Sequence, residues 1–88
     1  MPKWNVVFAK EAENDLDDLA NVVRKRIIEK LSWLENNFDL TAPVPLGADW
    51  SGFFKLRVGD FRVIYKIDWS TSEIFIVVIG HRSKVYKK

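Results

Sequence analysis

Three cations, Lys55, Arg57 and Arg62, stand on either side of a Gly59-Asp60 pair. A Gly-X pair between two alternating runs of strand formers predicts a two-residue hairpin, with Gly at the positive-φ position of a type II′ turn. In that register Val58 faces Phe61, Arg57 faces Arg62, Leu56 faces Val63 and Lys55 faces Ile64. Side chains alternate between the faces of a strand. One face therefore carries Phe54, Leu56, Val58, Phe61, Val63, Tyr65 and Ile67, a core surface. The other carries Lys55, Arg57, Arg62 and Lys66. Like charges directly opposed across an antiparallel pair destabilise it by about 0.2–1 kcal/mol. Edge protection accounts for Lys66 alone. Three gathered cations predict an anion site, and phosphate is the natural anion, because guanidinium binds it through two parallel hydrogen bonds.

The elements that must carry this hairpin follow from periodicity. Residues 4–8 (Trp-Asn-Val-Val-Phe) predict a first strand. Ala12, Leu16, Leu19 and Val23 then recur at helical spacing, and Glu11, Asp15 and Asp18 take another side. That acidic cluster suits a helix N-terminus and reads as a solvated face rather than a metal site. Asn21 is placed to cap a second helix, over residues 22–37, whose apolar stripe is Val23, Ile27, Ile28, Leu31 and Leu34. Trp33 is expected to be partly buried at the edge of that stripe. Residues 39–51, with Pro43 and Pro45, read as a loop. Residues 68–72 predict a turn, and residues 73–79 a last strand, apolar on both faces and so interior. Pairing Ile67 with Glu73 sets Arg62 opposite Val78 and brings Arg82 to the basic face; one residue more or less in the turn reverses that parity. The expected fold is α+β: an N-terminal strand, a two-helix hairpin and a three-stranded antiparallel meander, giving a four-stranded sheet with both helices on one face.

Composition fits this reading. The chain of 88 residues is a single domain over residues 1–88, with 48% apolar residues and no cysteine. That excludes a disulfide framework and a thiolate metal site. One histidine cannot make a zinc site. The apolar run of residues 74–79 is far too short to span a bilayer, and no signal-peptide pattern opens the chain, so a cytoplasmic protein is expected. Charge is unevenly placed. Residues 1–49 hold six basic and nine acidic side chains, whereas residues 50–88 hold eight basic and three acidic. A basic half favours a nucleic-acid or acidic-protein partner, and Lys84, Lys87 and Lys88 add to it.

The sequence resembles the RelE/ParE superfamily of type II toxins. The resemblance rests on Pro45-Leu46, on the block from Phe54 to Tyr65, on Ile79-Gly80-His81-Arg82 and on Val85-Tyr86, and covers nearly the whole chain. It implies a toxin that cuts messenger RNA in the ribosomal A site without a metal or a small-molecule cofactor. Its partners would be the ribosome, mRNA and a RelB-like antitoxin. The family's active surface is the sheet face away from the helices, and its functional positions match Lys55, Arg57, Arg62, Arg82 and Tyr86. ParE-like relatives share the fold, poison DNA gyrase and generally lack the full cleavage set. Retention of all five positions favours the RelE branch over a gyrase inhibitor or a non-catalytic RNA-binding module.

The chain also departs from the best-known RelE toxins. Arg57 replaces the second of two alternating lysines, and arginine is in effect never deprotonated. Within the cleavage chemistry that the resemblance implies, Lys55 is then the expected base toward the 2′-hydroxyl. Arg57 and Arg62 hold the non-bridging oxygens, and Arg82 or His81 faces the leaving group. Tyr86 stacks on a base or orients the nucleotide. The segment between Arg82 and Tyr86 is shorter than in those toxins. His81 reads either as an inert ring at a strand end or as an acid–base group.

Overall fold

A computed structural model describes residues 3–47 and 49–87. Lys88 therefore lies outside the described residues, as does the side chain of Lys87. The elements are β1 (Asn5–Phe8), α1 (Lys10–Asp17), α2 (Asn21–Asn37), β2 (Val44–Gly47), β3 (Trp50–Val58), β4 (Phe61–Asp68) and β5 (Glu73–His81). Short 3₁₀ turns follow α2 (Phe38–Leu40) and β5 (Val85–Lys87). The sheet order is β1-β5-β4-β3-β2. β1 runs parallel to β5, and the other three pairings are antiparallel. Among the described residues, no helix is long and apolar enough to cross a membrane.

The sheet has five strands where four were expected. The extra strand is β2, drawn from the segment read as a loop. Val44 pairs with Lys55, Pro45 with Phe54 and Gly47 with Trp50, across a bulge. Proline is tolerated because β2 is the sheet edge, where its missing N–H leaves no ladder bond unmade. Gly47, at φ +73°, supplies the irregular turn. Asn21 does not cap α2: Ala20 occupies the cap position without a side-chain bond, and the Asn21 Oδ1 instead accepts from the Arg24 guanidinium.

The core lies between the helices and one sheet face. Ala12, Leu16, Ile27, Leu31 and Leu34 meet Val63, Tyr65, Ile74, Ile76 and Ile79 there, and Phe54, Leu56, Val58, Phe61 and Ile67 border them. Burial pushes the Tyr65 hydroxyl up to about 12, because the phenolate would be desolvated. Phe38 closes one end against Trp4, with ring centroids 4.5 Å apart, while Trp4 Nε1 donates to Asp39 Oδ1 at 3.0 Å.

Beyond Phe8 the outer edge of β5 has no strand neighbour. The chain covers it with α1. Asp15 Oδ2 accepts from the Ile79 N–H at 3.1 Å. On β1, Glu35 Oε2 accepts from the Val6 N–H at 2.6 Å. Asp15 is thus a fastener of helix to sheet rather than part of a solvated face. Asp15→Ala would orphan a donor on a residue only 1% exposed. A loss of about 1–3 kcal/mol is expected in urea unfolding; a midpoint equal to wild type would show that the bond contributes nothing.

Candidate active site

The β3–β4 hairpin has the expected register: Arg57 pairs with Arg62, Lys55 with Ile64 and Val58 with Phe61. Gly59 has φ +58°, and Asp60 is not among the residues with positive φ, which is the type II′ signature. Lys55, Arg57 and Arg62 therefore share the face turned away from the helices. Opposed residues have Cβ atoms about 4.5–5.5 Å apart, so the two guanidinium groups start as close neighbours. Arg62 relieves the contact by folding over the turn. Its Nη1 donates to the carbonyls of Gly59 and Phe61, both at 2.9 Å. A guanidinium has five donors, so most of them still face outward. Lys55 is half-buried and Arg57 exposed.

The β4–β5 pairing differs from expectation in detail. Asp68 pairs with Glu73 and Ile67 with Ile74, one residue away from the predicted register. A bulge then inserts Val77 between the Tyr65–Ile76 and Ile64–Val78 pairs, so Arg62 pairs with Gly80. The two single-residue shifts cancel in parity. The ladder runs on past β5, with the Arg82 N–H donating to the Asp60 carbonyl at 2.8 Å. Arg82 thus falls on the Arg62 side of the ladder. Its Nε lies 3.9 Å from Asp60 Oδ1, with both side chains well exposed. Such a surface pair is worth about 0–1 kcal/mol and is readily exchanged for another anion.

His81 takes the opposite parity. It pairs with Phe61 and meets that ring edge-to-face at 5.5 Å, on the helix side of the sheet. The Ser83 N–H donates to His81 Nδ1 at 3.2 Å, and Ser83 Oγ lies 2.8 Å from the same nitrogen. Nδ1 is thus occupied by Ser83, its role toward the hydroxyl depending on the tautomer. The fold does not bring His81 together with Lys55, Arg57 and Arg62.

Tyr86 arrives on a built support. The basic face is not wholly polar. Ile64 and Val78, both buried, form a second apolar cluster there with Val85, bordered by Leu46, Trp50, Phe53 and Val77. Val85 is fully buried, and Tyr86 beside it is exposed. Gly80 leaves the room: a Cβ there would stand 3.4 Å from Val85 Cβ. Lys66 closes the far end, with its Nζ 4.9 Å from the centroid of the Phe53 ring. Sequence reading missed this anchor. Its signal was the alternation Ile64, Val78, Gly80 on a face otherwise read as cationic.

A further feature borders the face. Arg26, Glu29, Lys30 and Trp33 of α2 line a cleft of about 420 Å³ with Arg57, Val58 and Gly59. Trp33 is 46% exposed, more open than expected. The positions 26, 30 and 33 follow helical spacing, and that pattern was legible in the sequence. Among the described residues, no group of three or more His, Asp or Glu is placed to hold a metal ion.

The Val85 anchor makes a prediction. Gly80→Val should push the C-terminal turn off the sheet and speed tryptic cutting at Lys84, while the remaining chain stays resistant. Gly80→Ala only reaches van der Waals contact and should cut like wild type. Equal cutting in all three proteins would contradict the anchor.

Comparison with known proteins agrees with this architecture. Over residues 6–86 the chain matches a family described as the ParE toxin of the type II toxin-antitoxin system, parDE. Toxin RelG of Mycobacterium tuberculosis is 26% identical over 85 residues, spanning 97% of this chain and 98% of that protein. The toxin-antitoxin complex RelBE2 of the same organism superposes with a TM-score of 0.81 at 28% identity, covering 93% of this chain and 100% of that one. The isolated Escherichia coli RelE toxin shares the fold, with a TM-score of 0.75 at 20% identity over 96% of this chain and 92% of that one. The match takes in the helical hairpin, the cationic strands and the C-terminal turn alike: the chain belongs to the ParE toxin family of type II toxin-antitoxin systems, within the RelE/ParE group.

Proposed function

We propose that this toxin is a ribosome-dependent endoribonuclease that cleaves mRNA in the A site, acting in the cytoplasm and held in check by a RelB-like antitoxin. The observation that carries the reading is the far sheet face. Lys55, Arg57 and Arg62 lie there on adjacent strands, Arg82 joins from the end of the ladder with Asp60 beside it, and the buried Val85 anchors the turn that carries Tyr86. Such a face can grip one phosphate from several sides. In the proposed reaction Lys55 takes the proton of the 2′-hydroxyl, and the hydroxyl oxygen attacks the adjacent phosphorus. Arg57 and Arg62 hold the non-bridging oxygens as charge builds on them. The 5′-oxygen leaves with a proton from solvent, its developing charge held by Arg82, giving a 2′,3′-cyclic phosphate. Tyr86 stacks on a neighbouring base.

The similarity to the RelBE2 complex supports the antitoxin assignment. An acidic segment on that partner would complement the cationic face, and binding through exposed charges weakens as salt rises.

A second reading is inhibition of DNA gyrase, raised by the ParE description of the matching family. Primer extension on transcripts after induction, run beside an assay for broken DNA, separates the two. Cuts at A-site spacing with intact DNA support the nuclease; intact transcripts with DNA breaks support the gyrase inhibitor.

The geometry also divides the acid–base candidates. Lys55→Arg keeps the charge and removes the group that can give up a proton. Cleavage on programmed ribosomes is expected to fall by about 10²–10⁴-fold, with ribosome binding close to normal. His81→Gln should cost little, because its ring lies on the helix side of the sheet. The opposite pattern, a large loss in His81→Gln with Lys55→Arg nearly active, would move the chemistry to the histidine.

A further inference from the structure

β2 covers the outer edge of β3 only as far as Lys55, so the last residues of β3 present a bare edge. The cleft between α2 and the hairpin turn opens at that edge. Arg26 lies over the turn: a Cβ on Gly59 would stand 3.3 Å from its Nη2, so glycine's missing side chain permits the approach. Lys30 Nζ stands 4.1 Å from the centroid of the Trp33 ring. Arg26, Lys30 and Arg57 face a single carboxylate, Glu29, and none of the three forms an ion pair among the described residues. Trp33 thus stands nearly half open, with Lys30 over one face of its ring, beside three cations that share one carboxylate. Arg57 belongs both to this cleft and to the cationic face.

We propose that the cleft binds one nucleotide step of single-stranded RNA outside the reacting phosphate. The base lies against Trp33, and its phosphate is held by Arg26 and Lys30. The proposal rests on the reading of this chain as an RNA-cleaving toxin and extends the RNA path from the far face, past Arg57, to the α2 side. An acidic protein segment would use the cations but has no need of the open indole. A strand of RNA uses both, since bases stack on aromatic rings whatever their sequence.

Binding of a short labelled oligouridine to the purified full-length protein, followed by fluorescence anisotropy across a salt series, tests the cleft without the ribosome. Trp33→Ala is expected to weaken binding by about 5- to 150-fold with the salt slope unchanged. Arg26→Gln should weaken it and lower the slope of log affinity against log salt by about 0.7, the value for one phosphate contact on a single strand. On programmed ribosomes both variants should need more protein for half-maximal cleavage while keeping the saturated rate, the mark of lost binding rather than lost chemistry. Message-free ribosomes, added as competitor, distinguish the source of the strand. They displace the oligouridine if the cleft takes a ribosomal RNA loop, and leave it bound if it takes the message. Wild-type oligouridine affinity in both folded variants overturns the proposal. So does a loss confined to antitoxin binding, which would make the cleft a protein groove. Failure of the cleavage assignment is separable: intact transcripts with broken DNA after induction would remove the nuclease reading and leave the oligouridine result standing.

Discussion

The register of β3, β4 and β5 aims the strand-borne cations of the candidate site, and two small features hold it. One is the positive φ of Gly59, which closes the β3–β4 hairpin with Arg57 opposite Arg62. The other is the extra residue in β5, Val77, which shifts the pairing by one between Tyr65 and Ile64. Because strand side chains alternate, a one-residue change at either place would send cations into the core and apolar groups into water. Asp15 holds the Ile79 N–H just beyond the bulge, so the helical layer takes part in fixing the sheet register.

The two sheet faces divide the work. The helix face carries the main core and is the source of most of the burial. The far face is mixed, and its apolar part serves the polar part. Ile64 and Val78 seat Val85 there, and Val85 anchors the C-terminal turn in which Tyr86 follows it. Gly80 leaves Val85 its place, with room there for a methyl but not for a branched side chain. On the proposed reading the arrangement would preorganise a phosphate site on strands, with Arg82 and Tyr86 supplied by the chain end. Preorganised donors act without waiting for solvent to rearrange, the largest contribution a protein can make to phosphoryl chemistry.

Much of this was legible in the sequence because it depends on short-range signals. The Gly59-Asp60 turn, the alternation on both sides of it and the helical stripe of Ile27, Leu31 and Leu34 are each local. They led directly to the hairpin register, the helical hairpin and the cationic face. Long-range placement was harder. β2 was hidden by Pro43 and Pro45, residues that argue against a strand except at an edge, and nothing local says which segment will be an edge. The β5 bulge was equally silent, so the correct side for Arg82 was expected from a register that does not occur. His81 shows the same limit: its parity depends on Val77, four residues away. Trp33, Arg26 and Lys30 lay on one helical stripe, but only the fold brings that stripe beside Arg57.

On the proposed reading Arg57 and Arg62 are opposed for function, against the interest of the fold. Urea unfolding of Arg57→Thr beside wild type, paired with growth on induction, tests it most directly. Threonine suits a strand and removes the like-charge contact. Stability unchanged or raised, by up to about 1 kcal/mol, is expected together with loss of toxicity. A fall of more than about 1 kcal/mol with toxicity retained would contradict it, and would make Arg57 a structural residue.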